Sequence, residues 1–328
     1  MPYALQKVPA SDQTINKLQN MSAKKQPEFV FFDGEVIPYK DANIHIMTPC
    51  VRYGALVFEG IRGYWNDDEQ ETYLFRLGDH SKRLIQSANM LRMEHKLTEA
   101  YVSEANIKLL NALQIKEDLH IRQMVFVDGD GPLHAKGPVK MASVALPRGR
   151  KEGFDTGLHV SVSSWTRISD AMMPPRIKAA ANYQNGRLGA MQAKLDGYDT
   201  TLFLDGQGKL TEAPGACVFV VRGSKVYTPT VTNSILESIT RDSLIRISSE
   251  RLGVEVVERD IDRTELYIAD EVFLCGSGAE VTPVVKVDHH PVGNGQIGDY
   301  TRLIRNHYLD ITRGNNKEYA DWRTPVFK

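Results

Sequence analysis

Short apolar runs separated by turns occupy the first part of the chain. They begin in "FVFFDGEVIPYKDANIHIM", where the Asp33-Gly34 pair between two runs is typical of a tight β-hairpin. In "GDHSKRLIQSANMLRM" the residues Leu84, Ala88 and Leu91 fall on one face of a predicted helix. "IRQMVFV" and "KMASVAL" again have the pattern of strands. The first part is therefore predicted to be a mixed α+β domain.

The second part of the chain also alternates between strand and helix patterns. "TTLFLDGQGKLTE" predicts two strands joined by a turn at Asp205-Gly206, and "SITRDSLIRISSERLG" predicts a helix that begins at Ser238 or Thr240 and ends at Gly253. Helices are also predicted in "NGRLGAMQAKLDGY" and "DYTRLIRNHYLDIT". The remaining predicted strands are "LHVSVSSW", "CVFVVRGSKVYTP", "VEVVERDI", "EVFLCGSGAEVTPVVKV" and "HHPV".

One stretch between these two parts has the composition of a linker. "LPRGRKEG", residues 146–153, concentrates Pro, Gly and charge without periodicity. We therefore predict a flexible N-terminal arm over 1–28, a small α+β domain over 29–145, a linker over 146–155 and a large domain over 156–328.

Composition is that of an ordinary globular protein. The chain has 328 residues, 42% hydrophobic content and a formal net charge of -1, so no bulk charge favours nucleic acid or an anionic membrane as a partner. We find no apolar run of membrane-spanning length and no signal-peptide core in the first residues. Cys50, Cys217 and Cys275 are odd in number and lack C-x-x-C spacing, which argues against disulfides or a metal site. We expect a cytoplasmic protein.

The segment "PPRIKAAANYQNGR" raises the first chemical question. A lysine amine is a nucleophile only after it loses its proton, and burial beside apolar or small groups lowers its pKa. Lys178 has such neighbours, because Ile177 precedes it and Ala179, Ala180 and Ala181 follow it. The alternative is an ordinary solvated lysine near a loop.

Three further features would suit a phosphorylated, ring-shaped cofactor. The helix start in "ILESITRD" offers free backbone N–H groups to an anion, and the glycines of "CGSGAE" permit close approach of the backbone. Glu212 ends a predicted strand and could pair with a protonated ring nitrogen. Each has a simpler interpretation: an N-cap, a tight turn and a solvated strand end. A lysine, a carboxylate and phosphate-binding loops together describe a site for pyridoxal phosphate.

Over residues 29–313 the chain resembles the fold-type IV pyridoxal-phosphate aminotransferases, most closely the branched-chain amino acid aminotransferases. Six blocks in order carry the resemblance: "RYGALVFEGIRGY", "FRLGDHSKRL", "IKAAANY", "GYDTTLFLDGQGKLTE", "ILESITRD" and "ADEVFLCGSGAEVTPV". The resemblance implies an α+β, two-domain fold of the aminodeoxychorismate lyase and branched-chain aminotransferase type. It also implies pyridoxal 5'-phosphate as cofactor and no metal.

Carried over position by position, the resemblance implies a set of site residues. Lys178 would be catalytic, forming an aldimine with the cofactor and transferring the proton. Glu212 would pair with the ring nitrogen, Tyr183 with the phenolic oxygen, and Arg122 with the distal carboxylate of glutamate. The implied cofactor-binding residues are Arg83, Lys178, Tyr183, Glu212, Ser238, Ile239, Thr240 and Ser277. The implied substrate-binding residues are Tyr53, Phe58, Arg62, His120, Arg122, Gly278 and Ala279.

The implied reaction is transfer of the amino group of an L-amino acid, of the branched-chain type, to 2-oxoglutarate, in branched-chain amino acid biosynthesis. The implied partners are amino acids, 2-oxo acids and a second copy of the chain. Alternatives on the same fold are a transaminase for D-amino acids or amines and a lyase that splits aminodeoxychorismate. A protein that keeps the fold without turnover is disfavoured, because the chain has Lys178, Glu212 and Arg83 together.

Four differences from the family pattern all bear on the substrate. His120 stands where tyrosine is usual, Gly278 replaces alanine, and "PGACVF" replaces a Gly-x-Asn run after Glu212. The linker, usually aromatic, carries Arg148 and Arg150. Burying a methylene is worth about 0.8 kcal/mol only against an apolar wall, so such a pocket should hold aliphatic side chains less well. Alternatively, the two arginines face water and His120 is structural.

Overall fold

The computed structural model of the protein describes residues 26–150 and 153–328. Most of the predicted N-terminal arm and two residues of the predicted linker therefore lie outside the described residues. The described residues form two β-sheets, each covered by helices. No helix among them is long and apolar enough to cross a membrane.

Sixteen strands and six α-helices make up the described chain. The strands are β1 (Phe29–Phe32), β2 (Glu35–Pro38), β3 (Leu56–Asn66), β4 (Glu71–Phe75), β5 (Leu119–Val127), β6 (Val139–Pro147), β7 (Leu158–Thr166), β8 (Thr200–Leu204), β9 (Glu212–Ala213), β10 (Ala216–Arg222), β11 (Lys225–Thr228), β12 (Val256–Glu258), β13 (Glu271–Gly276), β14 (Glu280–Val287), β15 (His290–Pro291) and β16 (Arg323–Pro325). The helices are α1 (Pro49–Tyr53), α2 (Leu77–Met90), α3 (Glu99–Leu113), α4 (Tyr183–Leu195), α5 (Ile239–Glu250) and α6 (Asp299–Arg313).

The first sheet is antiparallel throughout, in the order β16-β4-β3-β5-β6-β1-β2. Its hairpin at Asp33-Gly34 is confirmed, and both residues have positive φ angles of 49° and 104°, as a two-residue hairpin turn requires. Helices α2 and α3 pack on this sheet through a core that includes Leu84 and Leu109, both fully buried. The first sheet therefore packs against these two helices through one apolar face.

The second sheet has mixed strand directions, in the order β12-β11-β10-β13-β14-β7-β8, with β9 paired to β10 and β15 to β14. The β11–β12, β14–β7 and β7–β8 pairs are parallel. Helix α4 packs against β7 and β8, whereas α5 and α6 pack against β13. Phe219 and Phe273 stack across β10 and β13 with ring centroids 5.0 Å apart, within the core below α5 and α6.

Several predicted elements differ from the structure. Leu91 lies beyond the end of α2 and is 38% exposed, so it does not belong to the buried helix face. The second strand predicted in "TTLFLDGQGKLTE" is reduced to isolated bridges, at Lys209 and Leu210, followed by β9. The helix α3 has no counterpart in the sequence-based prediction.

The start of the predicted linker and the last residues of the chain also differ from the prediction. Strand β6 continues to Pro147, so the linker begins two residues later than predicted. Strand β16, close to the end of the chain, pairs with β4 of the first sheet, and the backbone N–H groups of Val326, Phe327 and Lys328 all donate to the buried Glu71 carboxylate. The last residues are therefore joined to the first sheet. The division into two domains stays a prediction.

Candidate active site

A cleft between the two sheets collects most of the predicted site residues. One wall comes from β3 and β5, and the opposite wall from β9, β10 and the turn between β13 and β14. The loop before α4 and the first turn of α5 close its two ends. Because the lining comes from elements far apart in sequence, only the tertiary fold assembles it.

Lys178 is held in this cleft by backbone and side-chain contacts. Its carbonyl oxygen accepts from Phe58 N at 3.0 Å, and its backbone N–H donates to Ser87 Oγ at 3.2 Å, so the lysine loop is tied to both β3 and α2. The Nζ atom donates to Tyr183 Oη at 2.7 Å and lies 5.2 Å from the centre of the Phe58 ring. Asn182 stabilises the same loop by donating to two of its carbonyls. The amine is therefore oriented toward the interior of the cleft.

Glu212 is a buried carboxylate on the opposite side of the cleft. It pairs with the buried Arg167 at 2.5 Å and also accepts from the backbone N–H of Leu236 at 3.2 Å. Burial raises the pKa of Glu212, and the Arg167 charge opposes this effect. Arg167 is itself held by Asn185 at 3.2 Å. A carboxylate positioned in this way can accept a hydrogen bond from a protonated ring nitrogen.

The first turn of α5 forms an anion-binding end. Ser238 is the N-cap, and its hydroxyl accepts from Arg241 N at 3.2 Å, which decides between the two predicted helix starts. The N–H groups of Ile239 and Thr240 belong to the first turn, where no partner exists inside the helix. They and the positive end of the helix dipole are available to a phosphate group.

Arg83 extends from α2 to the same end of the cleft. Its guanidinium makes two hydrogen bonds of 2.7 Å to the Glu59 carboxylate and one of 2.6 Å to the Glu237 carbonyl oxygen. His80 contacts the same carboxylate at 2.7 Å. Burial alone would raise the pKa of Glu59, but Arg83 and His80 together hold it well below its ordinary value. Glu59 therefore stays ionised and fixes the direction of Arg83, which has N–H groups left for an anion.

The substrate end of the cleft is cationic. His120, Arg122 and Arg148 all line it, beside the turn that contains Gly278. Burial and the charges of Arg148 and Arg122 lower the pKa of His120 to about 3, so its imidazole is neutral at pH 7. The N–H of Ala279 donates to the Gly276 carbonyl at 3.0 Å, so this predicted substrate donor is already engaged within its turn.

The cleft brings together most of the predicted site residues, namely Phe58, Arg83, His120, Arg122, Lys178, Tyr183, Glu212, Ser238, Ile239, Ser277, Gly278 and Ala279. Three others lie outside it. Tyr53 lines a separate groove, the buried Arg62 pairs with Glu280 at 3.3 Å behind the wall, and the buried Thr240 side chain lies beside Tyr308. Arg62 and Thr240 are held away from the cleft by these buried contacts, and the predicted roles of all three residues stay predictions.

The sequence-based set lacked Arg167 and Glu59, and it left Arg148 undecided between the pocket and water. Arg167 follows β7 without any periodic signal, and it becomes recognisable only beside Glu212. Glu59 had a signal, since a carboxylate inside an apolar strand is rarely buried unless it is paired. Arg148 required the three-dimensional course of the linker.

The fold and this cleft define a class of enzyme. The sequence profile of the family described as Amino-transferase class IV matches residues 56–287, and the chain belongs to this family. The protein is therefore an aminotransferase, and the cofactor of its family is pyridoxal 5'-phosphate. The resemblance inferred from the six sequence blocks is confirmed.

Two similar proteins are named as branched-chain-amino-acid aminotransferases. The chain is 38% identical to the probable branched-chain-amino-acid aminotransferase of Aquifex aeolicus, over 92% of this chain and 97% of that protein. It is 33% identical to the Escherichia coli branched-chain-amino-acid aminotransferase, over 92% and 98% of the two chains.

Solved structures of branched-chain amino acid aminotransferases are also similar to this chain. The Thermobaculum terrenum branched-chain amino acid aminotransferase in its PLP form has a TM-score of 0.87 at 42% identity, covering 92% of this chain and 99% of its own. A T.th. branched-chain amino acid aminotransferase, complexed with N-(5'-phosphopyridoxyl)-L-glutamate, has a TM-score of 0.87 at 33% identity, with the same coverage. The expected α+β fold of the fold-type IV enzymes is thereby confirmed.

The cleft also fits the cofactor on physical grounds. It has a half-buried amine at Lys178, a buried carboxylate at Glu212 and unpaired helix N–H groups at Ile239, which match an aldehyde, a ring nitrogen and a phosphate. Gly215 lines the cleft without a side chain and therefore takes no space there from a flat ring.

Proposed function

We propose that the protein transfers the amino group of L-branched-chain amino acids to 2-oxoglutarate, with Lys178 as the residue that attaches pyridoxal 5'-phosphate. The observation that carries this proposal is the 2.7 Å hydrogen bond from Lys178 Nζ to Tyr183 Oη, in a cleft that also contains a buried carboxylate and a helix N-terminus. The names of the relatives support the substrate class. The glutamate adduct of the T.th. enzyme supports glutamate and 2-oxoglutarate as the second substrate pair.

The residues of the cleft would have separate roles in this reaction. When bound, the cofactor supplies an electron sink for charge that develops on the substrate Cα. Glu212 would keep the ring nitrogen protonated, and Ser238, Ile239 and Arg83 would hold the phosphate. Lys178 Nζ would take the proton from the substrate Cα and deliver it to the cofactor, as transfer of the amino group requires, because it is the only amine lining the cleft among the described residues.

Absorption spectroscopy tests the proposal. The purified protein loaded with cofactor should show a visible absorption band that bleaches with L-glutamate, L-leucine or L-valine. Lys178→Ala should abolish the band shift and reduce turnover by several orders of magnitude, since one group acts as both attachment point and base. Lys194→Ala provides a matched control, because Lys194 is an exposed lysine at the end of α4.

Other outcomes would identify the alternatives. Bleaching by D-amino acids or amines but by no L-amino acid would indicate the other transaminase type. Release of pyruvate from aminodeoxychorismate without an oxo-acid acceptor would indicate the lyase. If the wild-type protein with added cofactor shows no band, the proposed role of Lys178 is wrong.

We also propose how the chain is organised and where it works. Residues 29–145 would be the small domain and 156–328 the large one, with two copies assembled as a homodimer near the active sites. All three cysteines are free thiols, and Cys217 lies directly opposite Cys275 on paired strands without a disulfide. This supports a reducing, cytoplasmic location.

A further inference from the structure

Two arginines, Arg122 and Arg148, line the cleft that contains Lys178, and neither has a carboxylate partner among the described residues. Arg122 Cζ lies 4.6 Å from the centre of the Phe58 ring, and Lys178 Nζ lies 5.2 Å from the same ring. Arg148 Nη2 lies 3.8 Å from the position that a Cβ on Gly278 would occupy. Within residues 26–150 and 153–328, no carboxylate is within ion-pair distance of either guanidinium. The substrate end therefore carries uncompensated positive charge.

These cations are close enough to influence one another. Burial and the charges of Arg62 and Arg122 lower the pKa of Arg148. Arg62 is neutralised by Glu280, so the excess charge resides on Arg122 and Arg148. An anion placed between them would relieve the repulsion and would form charge-assisted hydrogen bonds with both. An aliphatic side chain would desolvate the same groups without replacing their hydrogen bonds.

Arg148 is placed by its backbone, although its side chain is exposed at the mouth of the cleft. Its N–H donates to the Asp118 carbonyl at 2.8 Å, and its own carbonyl accepts from Arg62 Nη1 at 2.7 Å. Arg150, two residues later, instead lies over the Phe154 ring at 4.9 Å and outside the cleft. Of these two linker arginines, only Arg148 lines the cleft.

We propose that Arg148 adds a second cation to the site for the distal carboxylate of glutamate, which the family resemblance assigns to Arg122, and thereby determines substrate specificity. Dicarboxylic amino acids and their 2-oxo acids are then preferred over aliphatic ones. This inference rests on the proposed transaminase function and ranks its two substrate pairs, with glutamate and 2-oxoglutarate bound more tightly than the aliphatic pair. It assigns to Arg148 a contact that replaces the apolar wall expected of a pocket for aliphatic side chains.

The test compares Arg148→Met with wild type. Methionine removes the charge and keeps an unbranched side chain. In single-turnover bleaching of the cofactor band, the second-order rate constant with L-glutamate should fall roughly 10- to 100-fold, mainly through weaker binding, whereas that with L-leucine should stay the same or rise. Arg148→Lys should recover part of the loss. Arg150→Met is the matched control and should behave as wild type.

A binding measurement makes the test independent of turnover. The holoenzyme should bind glutarate more tightly than 4-methylpentanoate in titration calorimetry, and Arg148→Met should remove that preference. An equal loss with both donors would assign Arg148 to the α-carboxylate and overturn the proposal. No loss with either ligand would make Arg148 a solvated arginine and overturn it as well. A wild type that binds glutarate through Arg148 but never bleaches would refute only the transaminase function.

Discussion

The buried carboxylate of Glu59 fixes the position of Arg83, a charged side chain that lines the cleft. Glu59 is fully buried and pairs with Arg83 and His80, so it connects strand β3 to helix α2 at the end where Ser238 begins α5. Removing one partner of a buried ion pair leaves the other charge without compensation. The consequence is that a residue outside the cleft should control both stability and the direction of Arg83.

We therefore expect Glu59→Gln to lower the free energy of unfolding by about 3–5 kcal/mol. Cofactor affinity should fall too, because Arg83 loses its charge partner and one of its three hydrogen bonds, where the amide NH2 replaces an acceptor oxygen. Thermal unfolding and cofactor titration measure the two effects. Glu255→Gln is the control, since Glu255 pairs with Lys225 on the surface at 2.8 Å, and its midpoint of unfolding should not change. A stable Glu59→Gln protein with normal cofactor affinity would contradict this role.

Helix α2 contains one glycine and helix α4 contains two, with different structural consequences. Gly78 in α2 is exposed, and a Cβ there would meet nothing within 4 Å. Gly189 in α4 is buried, and a Cβ there would lie 2.4 Å from Phe203 Cζ in the core. Gly186, one turn earlier, approaches the Pro214 backbone with its virtual Cβ at 3.0 Å from the carbonyl oxygen. Helix α4 therefore needs glycine to pack against β8 and the segment after Glu212.

Alanine substitutions should have opposite effects in these two helices. Gly78→Ala should stabilise the protein by about 0.5–1 kcal/mol, because alanine has the higher helix propensity and meets no obstacle. Gly189→Ala should destabilise it by about 1–3 kcal/mol through overpacking. Thermal unfolding of the two variants checks the pair. Equal effects would show that packing at Gly189 does not limit the approach of α4.

At the scale of the whole molecule, an apolar groove remains open on the far side of the lysine loop. Its exposed members are Tyr53, Leu91, Leu133, Met172 and Met173. Exposed apolar surface of this kind usually marks a protein–protein contact. Since Ala179 and Ala181 also line this groove, a second copy bound there would lie next to each active site.

The proposed homodimer can be tested at this groove. Leu133→Lys combined with Met172→Lys should shift the protein from two-chain to one-chain mass in analytical ultracentrifugation, because those side chains are 71% and 75% exposed in the single chain. Leu195→Lys, at an equally exposed position at the end of α4, should leave the mass unchanged. A double variant that stays dimeric would place the interface elsewhere.

Local patterns were enough to predict much of this molecule. The Asp33-Gly34 hairpin, strands β5, β6 and β10 and helices α4, α5 and α6 follow from period and turn chemistry, which act over a few residues. Six ordered motifs were enough to predict the family. Helix α3 has no predicted counterpart, although Val102, Leu109 and Leu110 have the spacing of one helical face and are buried against the first sheet.

Placement of side chains from distant segments depended on the tertiary structure. Lys178, Glu212 and Ser238 were predicted together through resemblance, but the pairing of Arg167 with Glu212, and of Glu59 with Arg83, joins residues 45 and 24 positions apart. No local pattern encodes such distances, because burial and charge pairing are properties of the assembled core. The local sequence therefore specified the elements and the reactive residue types, whereas the contacts between the two sheets decided which charges surround the lysine and which of them face the substrate.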